Sequence, residues 1–304
     1  MNLRDLRYVV AVAELGQFGR AASACNVSQP TLSGQILKLE EELGVQIFER
    51  DGRVARLTER GATIVAHARR VVGAADDLRA AAAASRDPLD GPIRLGIIAT
   101  VGPYLAPWLL PAAARDLPRA PIRLVEDLTG HLLPLLADGK LDAAIIATDP
   151  PGERLEEAAL YDEPFCLMAP PNHPLARKKA VRVSDIDPRS LLLLADGHCL
   201  RDQALDICGH PDLGHATGAD MRAASLETLL HMAAAGHGLT LAPQMAADGW
   251  RGKDGLVAVP LKGADVARRV RLVWRRDMPR KAAMAALADV ARRCAPGGGF
   301  EAKV

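Results

Sequence analysis

A chain of 304 residues, 49% hydrophobic and 25% charged, is long enough for two or three domains with sizeable cores and too apolar for a disordered chain. Its formal net charge of +1 selects no class of partner, because binding depends on where charge sits rather than on its sum. No apolar run reaches the roughly 18 residues of a membrane span, and the opening MNLRDLRYVV lacks the apolar segment and small-residue cleavage site of an export signal, so a cytoplasmic protein without a membrane partner is expected.

Residues 3 to 44 carry three helical patterns. Leu6, Val9, Val10 and Ala13 line one face of the first. A short alanine-rich helix follows and ends near Cys25-Asn26; Ser28 then caps a third helix whose first turn tolerates Pro30. In that third helix Leu32, Ile36, Leu39 and Leu43 face inward, leaving Thr31, Ser33, Gln35 and Lys38 outward. This is a helix-turn-helix pattern, and the alternative is a helical bundle with a polar face. Charge does not decide between them, since residues 1 to 60 hold eight basic and eight acidic side chains.

VQIFERDGRVARLTERG reads as two short extended pieces around Asp51-Gly52, with Arg50, Arg53 and Arg56 concentrated there. From Thr58 to about Ser85 a long helix without proline repeats Ile64, Ala68, Val71, Ala75, Leu78 and Ala82 at four-three spacing, a seam suited to pairing with a second copy. Packing within its own domain is the plainer reading of the same seam.

DPLDGP at 87 to 92 marks a boundary. Beyond it PIRLGIIAT, a helix from Val101 to Leu117, PIRLVED, a helix around Leu132 to Leu141 and DAAIIATD alternate as in a mostly parallel sheet. A second set follows: FCLMAPP, LLLLADG, a helix after Ser225 and LTLAP. The strand ARRVRLVWRR and a helix from Pro279 to about Cys294 close the chain. Three parts are therefore expected: 1–58, 59–87 as a linker and pairing helix, and 88–304 as two α/β lobes, the second at about 163–267.

A third helix presenting Ser, Thr, Gln and Lys offers hydrogen-bonding groups to base edges and phosphates, and a basic hairpin suits the backbone or a minor groove. SQPTLSGQILKLEEELGVQIFERDGRVARLTERG, after a helix of the LRYVVAVAELGQFGRAA type, resembles the winged-helix domain of the LysR-type transcriptional regulators, and the whole layout fits. The resemblance implies a winged helix-turn-helix, a long dimerising helix and a two-lobed, periplasmic-binding-protein-like α/β regulatory domain. It implies contact with double-stranded DNA by Ser28, Gln29, Pro30, Thr31, Ser33, Gln35 and Lys38, supported by Arg50, Arg53 and Arg56. RNA polymerase is the expected further partner, and the family suggests a tetramer where the seam alone supports a dimer. The chain departs from many members at Gly34, where they carry a basic residue.

GHCLRDQALDIC, residues 197 to 208, is similar to the marker stretch of one subgroup, the OxyR-type hydrogen peroxide sensors. IATVGPYLAP with Thr100, EDLTGHLLPLLADGKLDAAI with Thr129, SLETLLHMAAAGHGLTLAP, and Arg268-Arg269 extend the likeness. It implies a peroxide pocket at Thr100, Thr129 and Arg269, with Arg268 adjacent to the last.

The chemistry follows from the residues. A peroxide-reactive cysteine acts as thiolate, favoured by cationic neighbours and a helix N-terminus; His198 and Arg201 stand next to Cys199, where a helix is expected to begin. Attack gives a sulfenic acid, and Cys208 is the candidate resolving thiol. If 199 to 208 is helical, the cysteines are separated by about 13.5 Å of rise and face opposite ways, whereas a disulfide needs Cα atoms roughly 4.4 to 6.8 Å apart. Oxidation would then remodel the segment.

Other readings stay open. Cys25, Cys166 and Cys294 read as small buried hydrophobes; His198, Arg201 and Asp202 are poor company for an inert thiol at Cys199. A zinc site of Cys199, Cys208, His210 and His215 lacks a compact Cys-x-x-Cys element, and no metal or cofactor is expected. A regulator answering to a reversible effector held between the lobes, and a peroxide-consuming thiol enzyme, are the two alternatives. The helix-turn-helix argues against the enzyme.

Overall fold

The structure, a computed structural model, describes residues 1–49, 54–84, 87–209, 222–250, 255–263 and 266–295. The chain divides into two compact units, the first built on residues 1–86 and the second on 87–136 and 141–304.

In the first unit α1 (Leu3–Leu15) begins at Asn2, whose side chain accepts from the Arg4 and Asp5 amides while Asp5 reaches back to the Asn2 N–H, a reciprocal cap. Gly16 ends it at φ +66°, a left-handed conformation that favours glycine. Helix α2 (Phe18–Ala24) is followed by α3 (Gln29–Leu43), capped by the Ser28 hydroxyl on the Thr31 amide at 3.3 Å with proline in its first turn. Leu32, Ile36 and Leu39 are buried with Leu6, Val9, Val12 and Ala21. On α1 the inward face is completed by Val12 and Tyr8, while Val10 and Ala13 are only half-buried.

Strands β1 (Phe48–Glu49) and β2 (Arg56–Leu57) pair antiparallel as the expected hairpin. Its attachment depends on Glu40. This buried carboxylate on α3 accepts from the Ile47 and Phe48 amides at 2.7 and 3.1 Å, and Phe48 packs edge-to-face on Phe18 with centroids 5.6 Å apart. Helix α4 (Glu59–Ala84) buries Val65 and Ala68, but Val71 and Leu78 are 50% and 72% exposed. Among the described residues, Val71 and Leu78 in the outer half of the seam are therefore left uncovered while Ala75 is half-buried.

In the second unit β3 (Ile93–Ile98), α5 (Gly102–Asp116), β4 (Ile122–Asp127), α6 (Thr129–Ala137) and β5 (Ala143–Ile146) alternate as the apolar runs predict, with β3 parallel to both β4 and β5. Helix α6 starts earlier than expected, at Thr129. Strand β6 (Leu155–Ala169) is longer than the sequence suggested, because the segments on either side of Pro164 form one continuous strand. There follow β7 (Val181–Arg182), β8 (Leu193–Leu194), α7 (Cys199–Cys208), β9 (Arg222–Ala223), α8 (Leu226–Ala234), β10 (Thr240–Pro243), α9 (Gln244–Gly249), β11 (Val257–Lys262), β12 (Ala267–Arg275) and α10 (Lys281–Arg293).

The expected mostly parallel sheet is mixed. The order is β4-β3-β5-β12-β6-β11-β7 with β10 also on β6, and β12 runs antiparallel to both β5 and β6. The first half of β6 pairs with β12 and the second with β10 and β11, so this one strand serves two cores. One core gathers Ile93, Leu95, Ile97, Leu105, Leu132 and Leu272; the other gathers Leu167, Met168, Leu191, Leu229, Leu241 and Val259. LLLLADG supplies only a two-residue strand, paired parallel with β9.

Replacing Glu40 by alanine leaves two buried amides without an acceptor and is expected to lower stability by about 3 kcal/mol, with Glu40→Gln, which keeps one acceptor oxygen, losing less. Urea denaturation of the full chain checks this; a loss below about 0.5 kcal/mol for Glu40→Ala would contradict it.

Candidate functional site

Helix α7 covers the segment from one cysteine to the other. His198 stands at its N-cap in extended conformation without a side-chain cap bond, and Gly209 closes it at φ +69°. Leu200, Ala204 and Leu205 face inward. Gln203 donates to the Ala147 carbonyl at 2.6 Å, tying the helix to the end of β5. Cys199 and Cys208 are both free thiols, half-buried, at the first and last positions. Nine residues give a half-turn remainder, so the two side chains leave opposite faces. Cys199 packs against the core around β3 and β5, and Cys208 against the core around β10 and β11.

A small cavity opens beside Cys199, lined by Ile98, Ala99, Thr100, Leu128, Thr129, Gly197 and His198. Its volume of about 10 Å³ is the room that one water-sized molecule needs. Thr129 starts α6, and its buried Oγ1 has no nitrogen or oxygen partner while lying against the Cys199 sulfur.

The positive charge at this site comes from Arg268, and the expectation for Arg269 is corrected. On β12 the two arginines point to opposite faces. Arg269 is exposed and pairs with Asp162 at 2.7 Å; Arg268 is buried and donates to Thr100 Oγ1 at 2.9 Å, to the Thr100 carbonyl at 3.0 Å and to Glu163 at 2.8 Å. Each arginine faces its carboxylate directly across the β12–β6 register. Glu163 also accepts from the Met245 amide at 3.0 Å, so the buried ion pair is itself hydrogen-bonded. The sequence held a signal for this arrangement: Val270 is an inward residue of β12, and strand alternation puts Arg268, two positions earlier, on the same face.

Arg201 pairs with Asp196, and His198 is buried, its pKa lowered by burial against a weaker backbone hydrogen bond at Ala224. Asp202 is exposed, and its charge slightly disfavours a Cys199 thiolate. Burial pushes the Cys199 thiol above its ordinary value, outweighing Arg268, the Thr129 hydroxyl and the Leu200 N–H, all of which favour thiolate. Cys208 is likewise raised by burial. Burial thus favours the protonated form of both thiols, where cationic neighbours led to the expectation of a depressed pKa at Cys199. His210 and His215 lie outside the described residues.

On the other unit the outward face of α3 is as the pattern predicts: Ser28, Gln29, Pro30, Thr31 and Lys38 are exposed and Ser33 and Gln35 half-exposed. The Ser28 and Thr31 hydroxyls lie 2.7 Å apart, so both also hold the helix start. Arg56 is exposed on β2, whereas Arg50 and Arg53 lie outside the described residues.

These two sites meet in one class of protein. Residues 3–62 match the bacterial regulatory helix-turn-helix of the lysR family and residues 86–295 the LysR substrate binding domain, and the chain belongs to the LysR family of transcriptional regulators. Among its relatives is the hydrogen peroxide-inducible genes activator of Dickeya chrysanthemi, 43% identical over 96% of this chain and 95% of that protein. The DNA-binding transcriptional dual regulator OxyR of Escherichia coli strain K12 is 42% identical over 96% and 95%. A full-length OxyR from Pseudomonas aeruginosa, carrying aspartate in place of one cysteine, superposes with a TM-score of 0.81 at 40% identity, covering 97% of this chain and 99% of that one. A Corynebacterium glutamicum OxyR with serine in place of one cysteine, described as H2O2-bound, gives 0.66 at 35%, covering 96% and 92%.

Because its pKa is raised, alkylation of Cys199 by iodoacetamide is expected to be still accelerating with pH at 9.0, the ordinary thiol value. A plateau below pH 8 would contradict this. Arg268→Ala should slow that alkylation throughout, while Arg269→Ala, on the other face, leaves it unchanged; equal effects of the two would refute the assignment of the charge to Arg268.

Proposed function

We propose that this chain is a peroxide-sensing transcriptional regulator in which Cys199 reacts and Cys208 resolves. Residues 1–58 read DNA, 59–87 pair two copies, and 88–304 carry the sensor. The observation that carries the reading is the site itself: a thiol at a helix start, against a cavity of about 10 Å³ lined by Thr100 and Thr129 among others, with a buried arginine bonded to the Thr100 hydroxyl. Metabolite pockets are tens of times larger. A species of two oxygen atoms is the right order of size and presents what Thr100, Thr129 and Arg268 recognise.

In the reaction Cys199 loses its proton and its sulfur attacks one peroxide oxygen. The O–O bond breaks, and the departing hydroxide takes up the proton as water. Hydrogen bonds from Thr129 and the charge of Arg268 stabilise negative charge as it develops on sulfur and then on the leaving oxygen. Cys208 next loses its proton and its sulfur attacks the sulfenic sulfur; the S–O bond breaks, and the departing hydroxide takes up that proton as a second water. Two thiols have been oxidised by two electrons and one peroxide reduced to two waters. Forming the bond requires α7 to open, and the altered second unit is the signal to the DNA-binding unit of a dimer or tetramer. RNA polymerase is the expected recipient of that signal.

Treatment with one equivalent of hydrogen peroxide should give a 199–208 disulfide by mass spectrometry with Cys25, Cys166 and Cys294 still free, and a changed DNA footprint. Cys199→Ser should abolish the change, and Cys208→Ser should stop at the sulfenic acid. A peroxide-dependent footprint that survives Cys199→Ser would overturn the proposal.

A further inference from the structure

The outward stripe of α3 is Thr31, Gly34, Gln35 and Lys38, the i, i+3, i+4, i+7 set opposite to buried Leu32, Ile36 and Leu39. A glycine in a helix interior is destabilising relative to alanine, so it calls for a reason. At three other glycines of the unit the reason is visible: a Cβ on Gly61 would collide with the Ile47 carbonyl oxygen, and Gly16 and Gly44 have positive φ; Gly19, in the first turn of α2, is near only the Gln29 side chain, at 3.4 Å. Gly34 has neither. Its φ is that of an ordinary helical residue, and a Cβ built there meets nothing within 4 Å. Among the described residues nothing requires the missing side chain, and the stripe is left with a bare notch at its centre, flanked by the exposed Thr31 and the half-exposed Gln35.

We propose that the notch at Gly34 receives the C5-methyl group of a thymine in the major groove, making this position a determinant of DNA sequence specificity. The thymine methyl is the apolar projection on the major-groove edge of the bases, and apolar protein groups pack against it. With no Cβ at 34, the backbone of α3 approaches the base edge closely, which brings Gln35 and Lys38 on the same stripe within reach of neighbouring bases and phosphates. A methyl on the protein and a methyl on the base then compete for one space.

The inference rests on α3 being the DNA-reading helix, and the experiment separates the two. The full-length protein selects a duplex from a random pool, and affinities are measured for that duplex and for versions in which each thymine in turn is replaced by deoxyuridine. Gly34→Ala is expected to melt no lower than the wild type and to bind the selected duplex at least tenfold more weakly. At one thymine position, deoxyuridine should weaken the wild type and restore most of the binding of Gly34→Ala. Undiminished binding by Gly34→Ala overturns the close approach, and a loss that no deoxyuridine substitution repairs overturns the thymine. If the wild type enriches no duplex, the DNA-reading role of α3 fails and this inference fails with it.

Discussion

An α-helix cannot place its first and tenth residues within bonding distance. Nine residues advance about 13.5 Å and turn the side chains to opposite sides, while a disulfide holds its Cα atoms roughly 4.4 to 6.8 Å apart. Cys199 and Cys208 occupy the two ends of α7, and each thiol is packed against a different core of the second unit. A helical α7 and a Cys199–Cys208 bond are thus alternative states, and the architecture around the segment decides how much free energy separates them.

A ten-residue helix is marginal by itself, and α7 is held by its surroundings. Leu200 and Leu205 are buried, Arg201 pairs with Asp196, and Gln203 is fixed to Ala147. Giving up the burial of the two leucines alone is worth roughly 3 to 6 kcal/mol at ordinary transfer values. Against a two-electron couple in which 30 mV corresponds to about 1.4 kcal/mol, that raises the reduction potential by roughly 100 mV. In the proposed mechanism, structural stability of the reduced segment is what would keep the disulfide reducible. The electrostatics of the pair suit the same proposal: burial disfavours a Cys199 thiolate, and Arg268 with Thr129 favours negative charge on its sulfur.

Much of this was legible in the chain. The capping serine, the inward Leu32-Ile36-Leu39 stripe and the strand and helix alternation after residue 92 follow from local periodicity, and the structure has them. The cysteine spacing carried the incompatibility once the segment was taken as helical. What escaped was set by long-range register. Arg268 and Arg269 are equivalent as neighbours in sequence; the pairing of β12 with β6, more than a hundred residues away, places Arg268 on the buried Glu163 and Arg269 on the exposed Asp162. Arg201 adjoins Cys199 nearly as closely in sequence as His198 does, yet its side chain reaches Asp196, because adjacency along a helix start points side chains in different directions. The length of β6 was hidden because Pro164 looks like a break, although Pro164 sits where β6 pairs with the very start of β12 and the strand passes on to its second set of partners.

The exclusion of helix by disulfide is tested most directly by hydrogen exchange of the α7 amides in the reduced chain and in the chain carrying the 199–208 bond. The reduced state should protect the amides from about Gln203 to Cys208 as members of a packed helix, and the oxidised state should exchange them orders of magnitude faster while β3, β5 and β12 keep their protection. Equal protection of this segment in both states, with the bond shown to be formed, would contradict the account.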